Sequence, residues 1–151
     1  MHVVDDFLIL SESFDKCASD MDAFISLCGK LAHGKTQSPS TTLPFLGITL
    51  DTVNLKVRLP QEKLDKCRSL VCEFLLKQKV TLVQLQSLIG LLNHACHVVV
   101  YARAFLRRLI DLTIGITKPH HHIRLTQQVK LDLRVWQEFL ENFNGRAFCF
   151  R

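Results

Sequence analysis

A chain of 151 residues, 48% hydrophobic and 22% charged with six Gly and four Pro, is long enough for one folded domain with a real core, and its composition excludes a disordered or low-complexity segment. No apolar run approaches the roughly 18–20 residues that span a bilayer, and Asp5 and Asp6, with no basic region before them, argue against a signal peptide. The net charge of +5 is uneven, −2 over residues 1–60 and +7 over 61–151, which suits a metal site beside a polyanion-binding surface or, more plainly, a solvated charged face.

The chain begins with Val3-Val4-Asp5-Asp6-Phe7-Leu8-Ile9-Leu10, two β-prone runs around a pair of acids. This pattern predicts a hairpin with Asp5 and Asp6 at its tip, either as plain turn residues or as oxygen ligands for a hard cation such as Mg2+. Asp15 to Ala32 reads as a helix with Cys17, Met21, Phe24, Cys28 and Leu31 on one apolar stripe, most of it core. Gly34 supplies its stop, and residues 35–42, polar and with a proline, form a loop.

Leu43 to Leu50 predicts a strand with Gly47 inside it, a position that marks a bulge or a close approach by a ligand or another backbone. Asp51 to Asn54 turns the chain, and Leu55, Val57 and Leu59 return with Lys56 and Arg58 on a basic face, completing a second hairpin. From Pro60 the period changes to 3.6, with Leu64, Cys67, Val71, Phe74 and Leu75 as the stripe of a helix ending near Gln78. Thr81 and Gln84 have capping-box spacing, and the helix they start turns Leu82, Leu85, Leu88, Ile89, Leu92 and Ala95 inward. Gly90 in its middle costs about 1 kcal/mol against Ala, and its use would be to let a helix or a nucleic-acid backbone come close.

A further helix is expected over Val100 to Thr113. It crowds Arg103, Arg107 and Arg108 with only Asp111 nearby in sequence, so an anionic partner such as phosphate competes with fanned-out surface arginines as the explanation. Residues 115–123 read as a loop whose His120-His121-His122 make a poor preformed metal site. A last helix from Thr126 to Asn142 carries Val129, Leu133, Trp136, Leu140 and Phe143, and residues 146–151 start a strand. The six cysteines read as reduced core thiols of an intracellular protein, cytoplasmic or nuclear; a zinc site is the alternative, but there is no C-x2-C pair.

Taken in order, the Asp5-Asp6 hairpin, the amphipathic helix, the Lys35-Thr36-Gln37-Ser38-Pro39 loop, Phe45-Leu46-Gly47-Ile48 and the Leu85-to-Asn93 helix resemble a retroelement reverse transcriptase, an RNA-directed DNA polymerase. The segments Arg103 to Leu109 and Trp136 to Gly145 look most like the tyrosine-recombinase (DIRS- or Ngaro-like) retrotransposons. The resemblance covers essentially the whole chain.

It implies an α+β fold: a partial polymerase palm of two β-hairpins plus one helix with the primer grip over 1–59, thumb-like helices over 60–113, and a connection-like helix and strand start over 114–151. Asp5 and Asp6 stand where the family's Tyr-x-Asp-Asp turn binds two catalytic Mg2+ ions, with Val3 replacing the tyrosine. Lys35 matches a lysine suggested to protonate pyrophosphate, and Phe45, Leu46, Gly47 and Ile48 match the primer grip. Gln84, Ser87, Gly90 and Asn93 would face the minor groove of the RNA/DNA template–primer duplex. Lys56, Arg58, Arg103, Arg107 and Arg108 would supply sequence-independent affinity for it.

The third catalytic carboxylate and the fingers come from upstream in the family, so the chain reads as a fragment that does not polymerise alone. Its partners would include the upstream polymerase half or a ribonuclease H domain. Two other readings stay open, a non-enzymatic basic helical nucleic-acid-binding or interaction module of retroelement descent and a metal-dependent nuclease using Asp5 and Asp6.

Overall fold

The computed structural model describes residues 6–28, 36–142 and 145–147. It is α+β, with helices around one core and two small antiparallel sheets. In chain order the elements are α1 (Phe14–Cys28), β1 (Thr42–Phe45), β2 (Ile48–Asp51), β3 (Lys56–Arg58), α2 (Gln61–Leu76), β4 (Lys79–Thr81) and α3 (Leu82–Ala95). A 3-10 helix (Val100–Leu106), α4 (Arg107–Asp111), β5 (His122–Arg124), α5 (Gln127–Asn142) and β6 (Arg146–Ala147) follow.

The core is built by the helices after Pro60. Leu64, Cys67, Val71 and Phe74 of α2, Leu82, Leu85, Leu88, Leu92 and Ala95 of α3, and Val129, Leu133, Trp136 and Leu140 of α5 are all buried. These are the predicted stripes, with Ile89 and Leu75 half-buried at their margins. The 60–113 and 114–142 stretches share this one core, because α2 and α5 lie antiparallel against each other.

Basic side chains staple the two helix ends. Arg68 of α2 donates to the Leu140 carbonyl from Nε at 3.2 Å and Nη2 at 2.7 Å, and Lys130 of α5 donates to the Leu75 carbonyl at 3.2 Å. Each helix thus satisfies C-terminal carbonyls of the other that have no partner within their own helix, and puts positive charge where the helix dipole is negative. Trp136 is fully buried, and its indole N–H finds no acceptor among the described residues.

Thr81 caps α3 as its spacing predicts: its Oγ1 accepts from the Gln84 N–H at 3.3 Å, and Gln84 Oε1 accepts from the Thr81 N–H at 3.1 Å. The chain reaches that cap through a strand that the helical period concealed. α2 stops at Leu76, Lys77 turns extended, and β4 pairs with β5, inside the expected 115–123 loop, in the register Val80↔Ile123. The expected α-helix over 100–113 is instead a 3-10 helix followed by one short α-helical turn. Buried positions there recur at Val99, Ala102, Leu106 and Leu109, and a first step of three residues suits a 3-10 turn.

The second hairpin is also cut differently. Leu43 to Leu50 is not one strand with an internal glycine. Leu46 and Gly47 form a two-residue turn closed by the Phe45↔Ile48 pair, so β1, β2 and β3 make an antiparallel meander with β6 beside β3. Gly47 has φ +76° and Leu46 φ +47°, the left-handed pair that a tight hairpin turn demands. The glycine is therefore explained by the turn itself; Leu46 takes the same conformation at a steric cost.

At the N-terminus, residues 6–10 form no strand. The Phe7 ring packs on Phe24 at 5.0 Å, and Cys17 Sγ approaches the Ile9 carbonyl at 4.0 Å, so the segment lies along α1. The stripe of α1 is not core. No residue of the helix is buried; Cys17, Met21 and Phe24 are half-buried and Cys28 is exposed. The cysteine reading needs the same correction, since only Cys67 and Cys96 among the described cysteines are buried and Cys72 is exposed. Burial pushes the Cys67 thiol up to about 11 and raises Cys96 too.

Candidate nucleic-acid interface

Two of the expected catalytic positions, Asp5 and Lys35, lie outside the described residues. The expected metal pair is thus described only at Asp6, whose side chain is exposed. Among the described residues no group of three or more His, Cys, Asp or Glu side chains gathers to hold a metal ion.

The hairpin tip and α3 do come together. His94, near the end of α3, lies with Nε2 3.0 Å from the Gly47 carbonyl, and Lys63 Nζ of α2 lies 3.2 Å from the same nitrogen. One ring nitrogen serves one of these contacts at a time: carrying its proton it donates to Gly47, and lacking it accepts from the Lys63 ammonium. A Cβ at Gly47 would fall on the Lys63 ammonium and within 3.2 Å of the His94 ring, so the turn is closely seated as well as tight. His94 and Lys63 are the site residues that sequence reasoning missed. The signal for them was an ordinary polar position on a helix, visible only once the turn was placed.

Of the expected primer-grip residues, Phe45 and Ile48 are half-buried in the sheet, Gly47 faces α2 and α3, and Leu46 projects, 63% exposed, in its strained conformation. A large apolar side chain kept both exposed and left-handed is the kind of local cost found at functional tips.

Gln84, Ser87, Gly90 and Asn93 are all exposed, but they do not form one line. At 3.6 residues per turn, each step of three falls short of a full turn by about 60°, so the four wind across the whole solvent face and Gln84 points roughly opposite to Asn93. Gln84 is also committed to the cap. Gly90 lies near the middle of that face, and a Cβ there would meet nothing within 4 Å.

The basic residues divide. Arg108 Nη1 lies 2.8 Å from Oδ1 of Asp132, a buried acid of α5 that is distant in sequence, and Arg107 Nε lies 3.0 Å from Asp111. The crowding inferred from the sequence is thus compensated for two of the three arginines. Arg103 is exposed and forms no ion pair among the described residues. On β3, Arg58 leans to 3.7 Å from Asp51, whereas Lys56 is exposed.

Asp51 closes the turn after β2. It accepts from the Asn54 side-chain amide at 2.8 Å and the Asn54 N–H at 2.9 Å. These hydrogen bonds, with Arg58 as a smaller contributor, hold its carboxyl below the ordinary value of 3.8. A lowered carboxylate contributes stability that is present above the unfolded value and is lost as pH falls through the folded one. Asn54→Ala is therefore expected to move the Asp51 pKa back up and to flatten the loss of stability below about pH 4, read by unfolding at a series of acid pH values. An unchanged acid profile would refute it.

No protein-family model, no curated protein and no solved structure matches the chain.

Proposed function

We propose that this chain is the C-terminal palm, primer-grip and thumb portion of an RNA-directed DNA polymerase of the retrotransposon type, whose own task is to hold a template–primer duplex. The observation that carries the reading is the seating of the Leu46-Gly47 tip on α3 through His94, one helical turn from the exposed Gly90 of the same helix. A projecting tip one helical turn from an exposed glycine suits close passage of a nucleic-acid backbone. Of the five cations expected to meet the duplex, Lys56 and Arg103 form no ion pair among the described residues, whereas Arg58, Arg107 and Arg108 are paired and serve this purpose less. Asp5 and Asp6 belong to catalysis in the intact polymerase with Mg2+, completed by a third carboxylate from another segment.

A second reading, a non-enzymatic helical nucleic-acid-binding or interaction module, is favoured by the single core formed by buried residues between 59 and 140 and by those internal arginine pairs. One titration separates the two. A fluorescent RNA–DNA hybrid with a recessed 3′ end, a blunt duplex and single-stranded RNA are titrated with the chain at low and moderate salt. The polymerase reading expects preference for the recessed hybrid and an affinity that falls steeply with salt. A folded, monodisperse chain that binds no hybrid at low salt would overturn it and leave the module.

A further inference from the structure

The β4–β5 ribbon carries charge that the fold does not compensate. Lys79 and Arg124 are direct cross-strand partners, as are Thr81 and His122, while Val80 and Ile123 between them point the other way into the core. The four therefore share the outer face of the ribbon, with two cations directly opposed. Like charges so placed repel, and among the described residues neither has a carboxylate in ion-pair range; the nearby Glu73 is held by Lys77.

Composition reinforces this. Between Glu73 and Asp132 the sequence holds eight Lys and Arg but one acid, Asp111, already taken by Arg107. The face is also rigid. The N–H groups of Leu82 and Val83 donate to the carbonyls of His121 and Pro119, and the Leu125 N–H donates to the Gln78 carbonyl. The loop with exposed Lys118 and His120 is thereby fixed beside the ribbon.

We propose that this outer face is a second nucleic-acid contact, gripping a phosphodiester backbone through Lys79 and Arg124 with Lys118 at its side. It lies on elements separate from the Leu46-Gly47 tip, and it rests on the ribbon's own charges rather than on the polymerase reading. A nucleic acid fits better than an anionic bilayer because the four residues of the outer face are all polar, with His122 able to hydrogen-bond a phosphate beside the two cations.

The test is Lys79→Gln combined with Arg124→Gln in the full chain, titrated with the hybrid and with single-stranded RNA across a salt series. The slope of log affinity against log salt should become shallower by about 2, with several-fold weaker binding at low salt for both nucleic acids. Thermal stability should hold or rise, since a repulsion is removed. Should the double variant fail to fold, each single change should shift the slope by about 1. Unchanged slope and affinity in a folded variant would overturn the proposal, as would loss of binding to phosphatidylserine vesicles with nucleic-acid binding intact. Absence of a recessed-end preference in the unmutated chain would sink the polymerase reading and leave the ribbon contact standing.

Discussion

Arg108→Ala is expected to destabilise the fold by about 2 kcal/mol, from an uncompensated buried acid rather than from a lost surface charge. Asp132 is 5% exposed, and the carboxylate is bonded by Arg108 Nη1 at 2.8 Å. Truncating Arg108 strands that charge, for which 1–3 kcal/mol is the ordinary range and 3–5 the value at a wholly buried pair. The Arg108 side chain is 57% exposed, so water reaches the pair and the effect belongs to the lower range. Denaturant unfolding measures it, and a double-mutant cycle with Asp132→Asn should recover most of the loss. Arg103→Ala is the comparison. It should leave stability within about 0.5 kcal/mol, as an exposed residue outside any ion pair does. If Arg108→Ala leaves stability unchanged, the bridge to Asp132 is not structural, and the arginine returns to the phosphate-binding set.

That pair also shows where sequence reasoning stopped. Helical stripes were legible because burial imposes a 3.6-residue period, so the core positions of α2, α3 and α5 could be read directly. The Thr81 cap was legible because both partners lie within one turn. Partners far apart in sequence were not. Asp132 stands 24 residues from Arg108, and His94 stands 47 from Gly47, and no local pattern encodes either pairing. Short strands failed for a related reason. With three residues each, β4 and β5 are too brief to show alternation, and the single apolar residue of β4, Val80, sits in a gap between two helical stripes. The stripe of α1 has the right period and no core to face among the described elements. Periodicity reports that a face is apolar, not what covers it.

Gly90→Ala is expected to raise stability by about 1 kcal/mol and, under the polymerase reading, to weaken hybrid binding about tenfold, some 1.4 kcal/mol in the opposite sense. The stability gain follows from the helix alone. A glycine inside a helix loses more backbone entropy on folding than alanine, and a methyl here meets no atom within 4 Å, so no clash offsets the gain. Nothing among the described residues accounts for the glycine, unlike Gly47, which the tight turn and the His94 ring both require. Under the polymerase reading, an external nucleic-acid backbone passes within a methyl's width of the helix at this position. The binding change separates the candidates. Higher stability with weaker hybrid affinity supports duplex contact at α3. Higher stability with unchanged affinity removes α3 from the interface, and any surviving nucleic-acid binding would then have to come from the β4–β5 ribbon.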